Sequence, residues 1–272
     1  GEVMASRYGI AVSGTHGKTT TTALVSYILF LGGLDPSFVV GGDVPQLGGG
    51  SRAGSGKHFV AEACEYDHSF LNLRPKIAAI LNVEHDHPDC YPNLESVIEV
   101  FASFASLVPS DGKLIVNGED RNLPRVIHGR PANVETFGID GANLDWRAVD
   151  VRSHRGRCRF ELWYRDRRLG VAQMKLTGRH NVMNGLAAAA MAWHAGADVD
   201  TILRAMATFA GVGRRMELKG ISRGIAVVDD CAHHPTEIQA SLRAIRDTYE
   251  PERLWVVFQP HQHSRTRFLL AD

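Results

Sequence analysis

Lys18 and Thr19 follow a glycine in the stretch GTHGKTTT (14–21), directly after the apolar run YGIAVS (8–13). With glycines at 14 and 17, such a loop turns tightly and brings its backbone N–H groups toward an anion. The positive end of the helix that follows and the Lys18 ammonium add to the attraction. Thr19 is placed to put its hydroxyl on Mg2+. The common phosphate loop, G-x-x-x-x-G-K-[ST], would carry its first glycine at position 12, where this chain has Val12. The loop is compressed to G-x-x-G-K-T, and phosphate binding is its expected chemistry.

Carboxylates come next. The apolar run HFVAEA (58–63) ends at Glu62, followed by Glu65 and Asp67, and IAAILNV (77–83) ends in Glu84, His85, Asp86, His87 and Asp89. Carboxylates facing phosphates make sense with Mg2+ between them, since like charges otherwise repel. Spacing alone does not select the ligand in each cluster, and isolated acids in loops are usually only solvated. His85 and His87 lack further partners at zinc spacing. In GRHNVMN (178–184), His180, Asn181 and Asn184 lie three and four residues apart on one side of a helix start. They suit either the base or ribose of a nucleotide or the orphan N–H groups of the helix itself.

Two further clusters sit late in the chain. VVDDCAHHPTE (227–237) places Asp229 and Asp230 at a strand end, then His233, His234 and a proline at the first helical position. FQPHQHSRTR (258–267) repeats the design with His261, His263, Arg265 and Arg267. Arginine suits bidentate recognition of a carboxylate. Two such clusters at equivalent strand ends point to a second substrate site facing the first.

The elements that must position these residues alternate. Apolar runs at 8–13, 37–40, 58–63, 77–83 and 112–117 read as strands, and the stripe Leu94, Val97, Ile98, Phe101, Phe104, Ala105 reads as a helix. That alternation predicts an α/β fold with a mostly parallel sheet, whose carboxyl edge collects the loops named above. Around 157–178 the period becomes two, predicting an added β-hairpin, and two helices follow, the second capped by Asp198 or Asp200. The segment 41–56 holds seven glycines, which predicts a mobile connection or a lid beside the phosphate loop. After a boundary near Gly213, IAVVDD (225–230), a helix at 235–249 and RLWVVFQP (253–260) predict strand, helix, strand, the start of a second α/β unit. The terminal SRTRFLLAD reads as opening helical turns, and the chain as a fragment of a longer protein.

At 272 residues and 44% apolar, the chain can bury a sizeable core. Thirty basic residues balance thirty acidic ones, which argues against a nucleic-acid or membrane-surface binder. Four scattered cysteines with no C-x-x-C pair suit free thiols in a reducing cytoplasm.

Taken in order, GTHGKTTT, EACEYDHSF, LNVEHDH, GRHNVMNGLAA, GVGRRMELKG, DDCAHHPTE and FQPHQHSRTR resemble the Mur ligase superfamily over essentially the whole chain. The last two motifs are similar to those of the branch that joins L-alanine to UDP-N-acetylmuramate. The resemblance implies a P-loop central ATPase domain at 1–213 and a truncated, Rossmann-like C-terminal domain at 214–272, with the UDP-sugar-binding N-terminal domain absent. It implies ATP and Mg2+ as cofactors, an acyl-phosphate intermediate, and small-molecule substrates rather than nucleic acid or membrane. Gly14, Thr15, His16, Gly17, Lys18, Thr19 and Thr20 would cradle the phosphates, with Lys18 on the γ-phosphate. Thr19, Glu62 and His87 would hold or orient Mg2+, and Lys18, Glu62 and His87 would form the catalytic set. The resemblance assigns His180, Asn181 and Asn184 to the adenine, Arg215 and Asp230 to closure over ATP, and His233 and Arg265 to the amino acid. Cys231 stands where the family usually has tyrosine and Gln262 where arginine is common, both in the segment expected to face the amino acid. A murein-peptide ligase of the same superfamily and a non-catalytic nucleotide-binding paralogue are the competing readings. The fragment alone is expected to have little activity.

Overall fold

YGIAVS lies at the heart of a sheet because nothing in it after the tyrosine side chain tolerates water: all five following residues are buried. The computed structural model describes residues 1–129, 133–141 and 143–270, so the final Ala-Asp of the expected C-terminal helix lies outside it. The first elements are α1 (Glu2–Ala5), β1 (Tyr8–Ser13), α2 (Lys18–Leu31), β2 (Ser37–Val39), β3 (Ser51–Arg52), β4 (His58–Glu62), β5 (Ile77–Ile80) and α3 (Leu94–Ala105). Then come β6 (Lys113–Asn117), α4 (Leu123–Val126), β7 (Val134–Gly138), β8 (Trp146–His154), β9 (Arg157–Tyr164), β10 (Arg167–Met174), α5 (Arg179–His194) and α6 (Val199–Thr208). The second unit has β11 (Glu217–Ser222), β12 (Ile225–Asp229), α7 (Pro235–Tyr249) and α8 (His263–Phe268).

Strands β1 to β10 form one sheet in the order β10-β9-β8-β7-β6-β5-β1-β4-β2-β3. From β8 to β2 every pairing is parallel; β9 and β10 add the expected hairpin on one edge, and β3 pairs antiparallel with β2 on the other. Alternation divides the strand residues between two cores. Ile10, Val12, Val60, Ile77, Ala79 and Ile115 face α2, α5 and α6. Ala11, Ala61, Ala78, Ile80, Leu114 and Val116 face α3, whose predicted stripe is buried there from Val97 to Ala105. Asn93 caps α3 by accepting from the Ser96 N–H at 3.0 Å, and Asp198, not Asp200, caps α6 by accepting from Thr201 N at 2.7 Å.

Two expectations need correction. The glycine-rich segment 41–56 is built rather than loose: Val44 and Leu47 are buried, Val40 N donates to Gly50 O at 2.7 Å, and Ser51–Arg52 extends the sheet. Gly41, Gly42, Gly50, Gly54 and Gly56 sit where a Cβ would collide with neighbouring atoms, while Gly48 and Gly49 turn the chain at positive φ in open space. RLWVVFQP does not form a strand, because no described strand runs beside it to take its hydrogen bonds, and Trp255 and Val257 are 85% and 98% exposed. The second unit is therefore an antiparallel β11–β12 hairpin followed by α7 and α8. Sequence reading also missed β7 and β8; the latter carries outward charges in WRAVDVRSH that obscure its period.

Glu135 on β7 clasps this part of the sheet. Its carboxylate, 2% exposed, accepts from Trp146 Nε1 at 2.9 Å, His194 Nε2 at 2.8 Å, Tyr164 OH at 3.1 Å and Lys113 Nζ at 3.2 Å. Burial alone would raise its pKa, but the His194 and Trp146 hydrogen bonds outweigh it and hold the carboxyl at about 2. A depressed folded pKa means stability fully present above the ordinary value of 4.5 and lost as pH falls through about 2. Glu135→Gln is expected to cost about 2–3 kcal/mol near neutral pH. In urea unfolding, that gap should shrink near pH ~3, where the wild type begins to lose the same interaction.

Candidate active site

At the carboxyl end of β1 the chain turns through Gly14 (φ 140°) and Gly17 (φ 85°) into α2, which starts at Lys18. Gly17 needs its missing Cβ twice over: the φ is left-handed, and a Cβ would collide with the Asn184 side-chain oxygen from α5. Asn82, just past β5, pins the loop by accepting from His16 N at 2.7 Å and donating to His16 O at 3.0 Å. α2 starts directly from this loop with no side-chain cap, which leaves its first N–H groups available to an anion.

Lys18 Nζ curls back to donate to Gly14 O at 2.6 Å, Thr15 O at 3.0 Å and Glu65 Oε1 at 3.1 Å, with Glu65 Oε2 at 2.9 Å outside hydrogen-bonding geometry. Burial opposes the ammonium charge, yet Glu65 outweighs it and keeps the lysine pKa above its ordinary value. Thr19 Oγ1 donates to Glu62 Oε1 at 2.9 Å, and Glu62 Oε2 accepts from Gly41 N at 2.6 Å. This hydroxyl and carboxylate beside the phosphate loop are hard oxygen donors of the kind Mg2+ takes. His87 reaches the group through Glu65, with Nε2 3.8 Å from Glu65 Oε1. Burial lowers its pKa, against the raising effect of Asp86 and Glu65, so the ring favours the neutral form a metal ligand needs.

The second unit docks on this edge through polar contacts. Arg265 on α8 is 4% exposed and grips Asp86 with Nε at 2.7 Å and Nη2 at 3.2 Å. Burial would raise the Asp86 pKa, but Arg265 outweighs it and holds the acid at about 2. Thr236 Oγ1 donates to Glu84 Oε2 at 2.7 Å, and Glu237 Oε1 lies 3.1 Å from His16 Nδ1. His16, Glu84 and His234 lie within metal-binding distance of one another, and His16 Nε2 hydrogen-bonds Glu84 while its Nδ1 lies beside Glu237.

The expected residues fall as follows. Gly14 to Thr20 form the loop, Glu62 sits on Thr19, and His180, Asn181, Asn184, Arg215 and Asp230 border a cavity of about 560 Å³ shared by the two units. The capping alternative for 180–184 fails: α5 starts from Gly178 with no side-chain cap, while Asn181 donates to Thr177 O at 2.8 Å and accepts from Asn184 at 3.2 Å. Burial lowers the His180 pKa. Asp230 accepts from Ser241 Oγ at 2.6 Å. His233 is turned to Cys231 O at 2.8 Å and meets Arg265 only through His261, whose ring lies 5.4 Å from its own. The partners of Lys18, Arg265 and His16, namely Glu65, Asp86 and Glu237, were visible as acids in the motifs, but nothing in the spacing matched them to those cations.

A parallel sheet carrying strand, glycine loop and helix at its carboxyl edge defines the phosphate-loop class of α/β protein. Residues 12–192 match the Mur ligase middle domain and residues 214–272 the Mur ligase glutamate ligase domain. The chain is 43% identical over 267 residues to the UDP-N-acetylmuramate–L-alanine ligase of Caldanaerobacter subterraneus, covering 98% of this chain and 58% of that protein. The crystal structure of UDP-N-acetylmuramate-alanine ligase MurC from Thermotoga maritima superposes with a TM-score of 0.81 at 29% identity, covering 96% of this chain and 59% of the other. A murein peptide ligase from Psychrobacter arcticus superposes with a TM-score of 0.74 at 31% identity, over 95% of this chain and 58% of the other. The chain belongs to the Mur ligase family. It spans somewhat under two thirds of the length of these relatives. Among the described residues no helix is long and apolar enough to cross a membrane, and the four cysteines are unpaired.

Proposed function

We propose that this chain is the nucleotide-binding and amino-acid-facing part of an ATP-dependent ligase that joins L-alanine to the carboxylate of UDP-N-acetylmuramate in the cytoplasm. The observation that carries the reading is the pairing of Lys18 and Thr19 with Glu65 and Glu62 at a phosphate loop onto which a second unit is docked. Identity of 43% with an L-alanine ligase favours that substrate over a preformed peptide. On this reading residues 1–213 bind ATP, residues 214–272 begin the domain that meets the amino acid, and the sugar nucleotide is held by a further part of the longer protein.

A muramoyl carboxylate oxygen attacks the γ-phosphorus of ATP, ADP leaves, and an acyl phosphate forms. The amine of alanine then attacks the carbonyl carbon; the tetrahedral intermediate expels phosphate and the nitrogen loses its proton, leaving an amide. Lys18, released from the Gly14 and Thr15 carbonyls, would follow the charge on the transferring phosphoryl group, and the N–H groups of residues 14–20 would hold the phosphates in line. Thr19, Glu62 and His87 would hold Mg2+, which when bound offsets phosphate charge. His180, Asn181 and Asn184 would take the adenine, with Arg215 and Asp230 closing over the nucleotide. His233 and Arg265 would orient the amino acid, and the docked second unit would keep water from the acyl phosphate.

The test is ATP-dependent phosphate release by the full-length protein with UDP-N-acetylmuramate, adding L-alanine, glycine, L-serine or a murein tripeptide in turn. Release that needs L-alanine is the expected outcome, with little from the 272-residue chain alone. A preference for the tripeptide would make it a murein-peptide ligase, and no release with any acceptor would leave a nucleotide-binding module.

A further inference from the structure

We propose that Glu237 is a positioning residue that fixes the protonation of the phosphate loop from the second unit, by holding the His16 ring between its own carboxylate and that of Glu84. The inference rests on the nucleotide reading above and names a coupling within that site. His16 Nδ1 lies 3.1 Å from Glu237 Oε1, and Nε2 lies 3.4 Å from Glu84 Oε2. Both carboxylates only accept, and a neutral imidazole has a single N–H. The Nε2 contact is a hydrogen bond and the Nδ1 contact a close ion pair, so two carboxylates flanking one ring favour the imidazolium, which offers N–H and positive charge to both.

The ring sits in a confined place. Asn82 holds the His16 backbone on both sides, and the side chain is 13% exposed. Glu84 is itself fixed by Thr236 Oγ1 at 2.7 Å. Glu237 is fixed as the N3 residue of the α7 capping box, its Oε2 accepting from His233 N at 3.2 Å and His234 N at 3.4 Å. The other titratable group against the ring is His234, 4.6 Å away between centroids, and burial lowers its pKa so that it does not compete for the proton. Lys18, two residues along, points to the loop carbonyls and Glu65. Burial alone would lower the His16 pKa, but Glu237 and then Glu84 outweigh it and carry it to about 9.

Two consequences follow. With the second unit docked, His16 is already protonated through neutral pH, so phosphate binding draws no proton to it. Without the Glu237 charge, His16 keeps only the half-buried Glu84, titrates near neutrality, and must gain a proton when an anion binds. By linkage, the loop and the docked unit then favour each other.

Glu237→Gln is the discriminating variant because its amide oxygen still accepts the α7 cap N–H groups while the charge is lost. NMR titration of the His16 ring, assigned by comparison with His16→Asn, is expected to give a midpoint about 9 in the wild type. The midpoint should fall toward the ordinary value of ~6.5 in Glu237→Gln. Calorimetric titration with Mg-ADP from about pH 6 to pH 8 should show a flat affinity for the wild type and, for Glu237→Gln, a loss of up to tenfold per pH unit with uptake of about one proton. Adding His16→Asn to Glu237→Gln should abolish that slope. An ordinary His16 midpoint in the wild type, or an unchanged midpoint in Glu237→Gln, overturns the inference. If neither protein binds Mg-ADP at any pH, the nucleotide reading fails, and the NMR midpoints still decide the role of Glu237.

Discussion

Arg265→Met is expected to destabilise the docked second unit by about 3 kcal/mol, far more than an exposed ion pair would. The reason is what it leaves behind. Asp86 is 6% exposed, and without the guanidinium its carboxylate keeps, among the described residues, the His87 N–H at 2.7 Å and the His87 ring at 3.7 Å. The pair also has a pH signature. With Arg265 present, Asp86 titrates at about 2 against an ordinary 3.8, so its stabilisation is complete above 3.8 and is lost as pH falls through about 2. That shift corresponds to about 2–3 kcal/mol, in line with the direct argument. Limited proteolysis of 214–272 in wild type and variant, at neutral pH and near pH ~3, checks both parts. The variant should be cut faster at neutral pH, and its difference from wild type should narrow near pH ~3. Asp86→Asn/Arg265→Met should recover much of the loss, because no charge is then stranded. A variant as resistant as wild type would mean that Arg265 is held for the substrate rather than for docking.

The same contact marks the limit of what could be read in the sequence. β1, the phosphate loop and α2 were legible because their signals are local: an apolar run, two glycines and a helical stripe within a few dozen residues. The parallel sheet followed from alternation of strand and helix. Thr19 and Glu62 are separated by 43 positions, and Asp86 and Arg265 by 179, so nothing but the fold brings them together. The acidic clusters were visible, yet which acid faces which cation depends on how β4 and β5 leave the sheet. β5 ends at Ile80, Leu81 N still donates to Ser13 O at 2.9 Å, and Asn82 then turns to the loop at His16. At 41–56 the glycines carry two meanings that composition does not separate: close packing, as at Gly50 and Gly56, and turns in open space at Gly48 and Gly49. Apolar character misled at 253–260, where a strand-like run has no strand beside it among the described residues.

Lys18 offers the prediction with the largest effect on turnover, and its interpretation depends on Glu65. Lys18→Met in the full-length protein is expected to reduce ATP-dependent ligation by about 10²–10³-fold, the usual loss when one fixed charge on a transition state is removed. The variant also strands Glu65, whose side chain is 3% exposed, so part of any loss could come from a disturbed loop. Glu65→Gln added to Lys18→Met removes the stranded charge. If Lys18 acts on the phosphoryl group, the double variant regains thermal stability and stays inactive. If Lys18 serves only to neutralise Glu65, the double variant regains both. Glu65→Gln alone separates the roles further. It frees Lys18 from its carboxylate while leaving the Gly14 and Thr15 carbonyls at 2.6 and 3.0 Å, so the ammonium stays at the loop. Ligation should then persist with a changed KM for ATP, because an ammonium no longer shared with a carboxylate gives its full charge to the nucleotide.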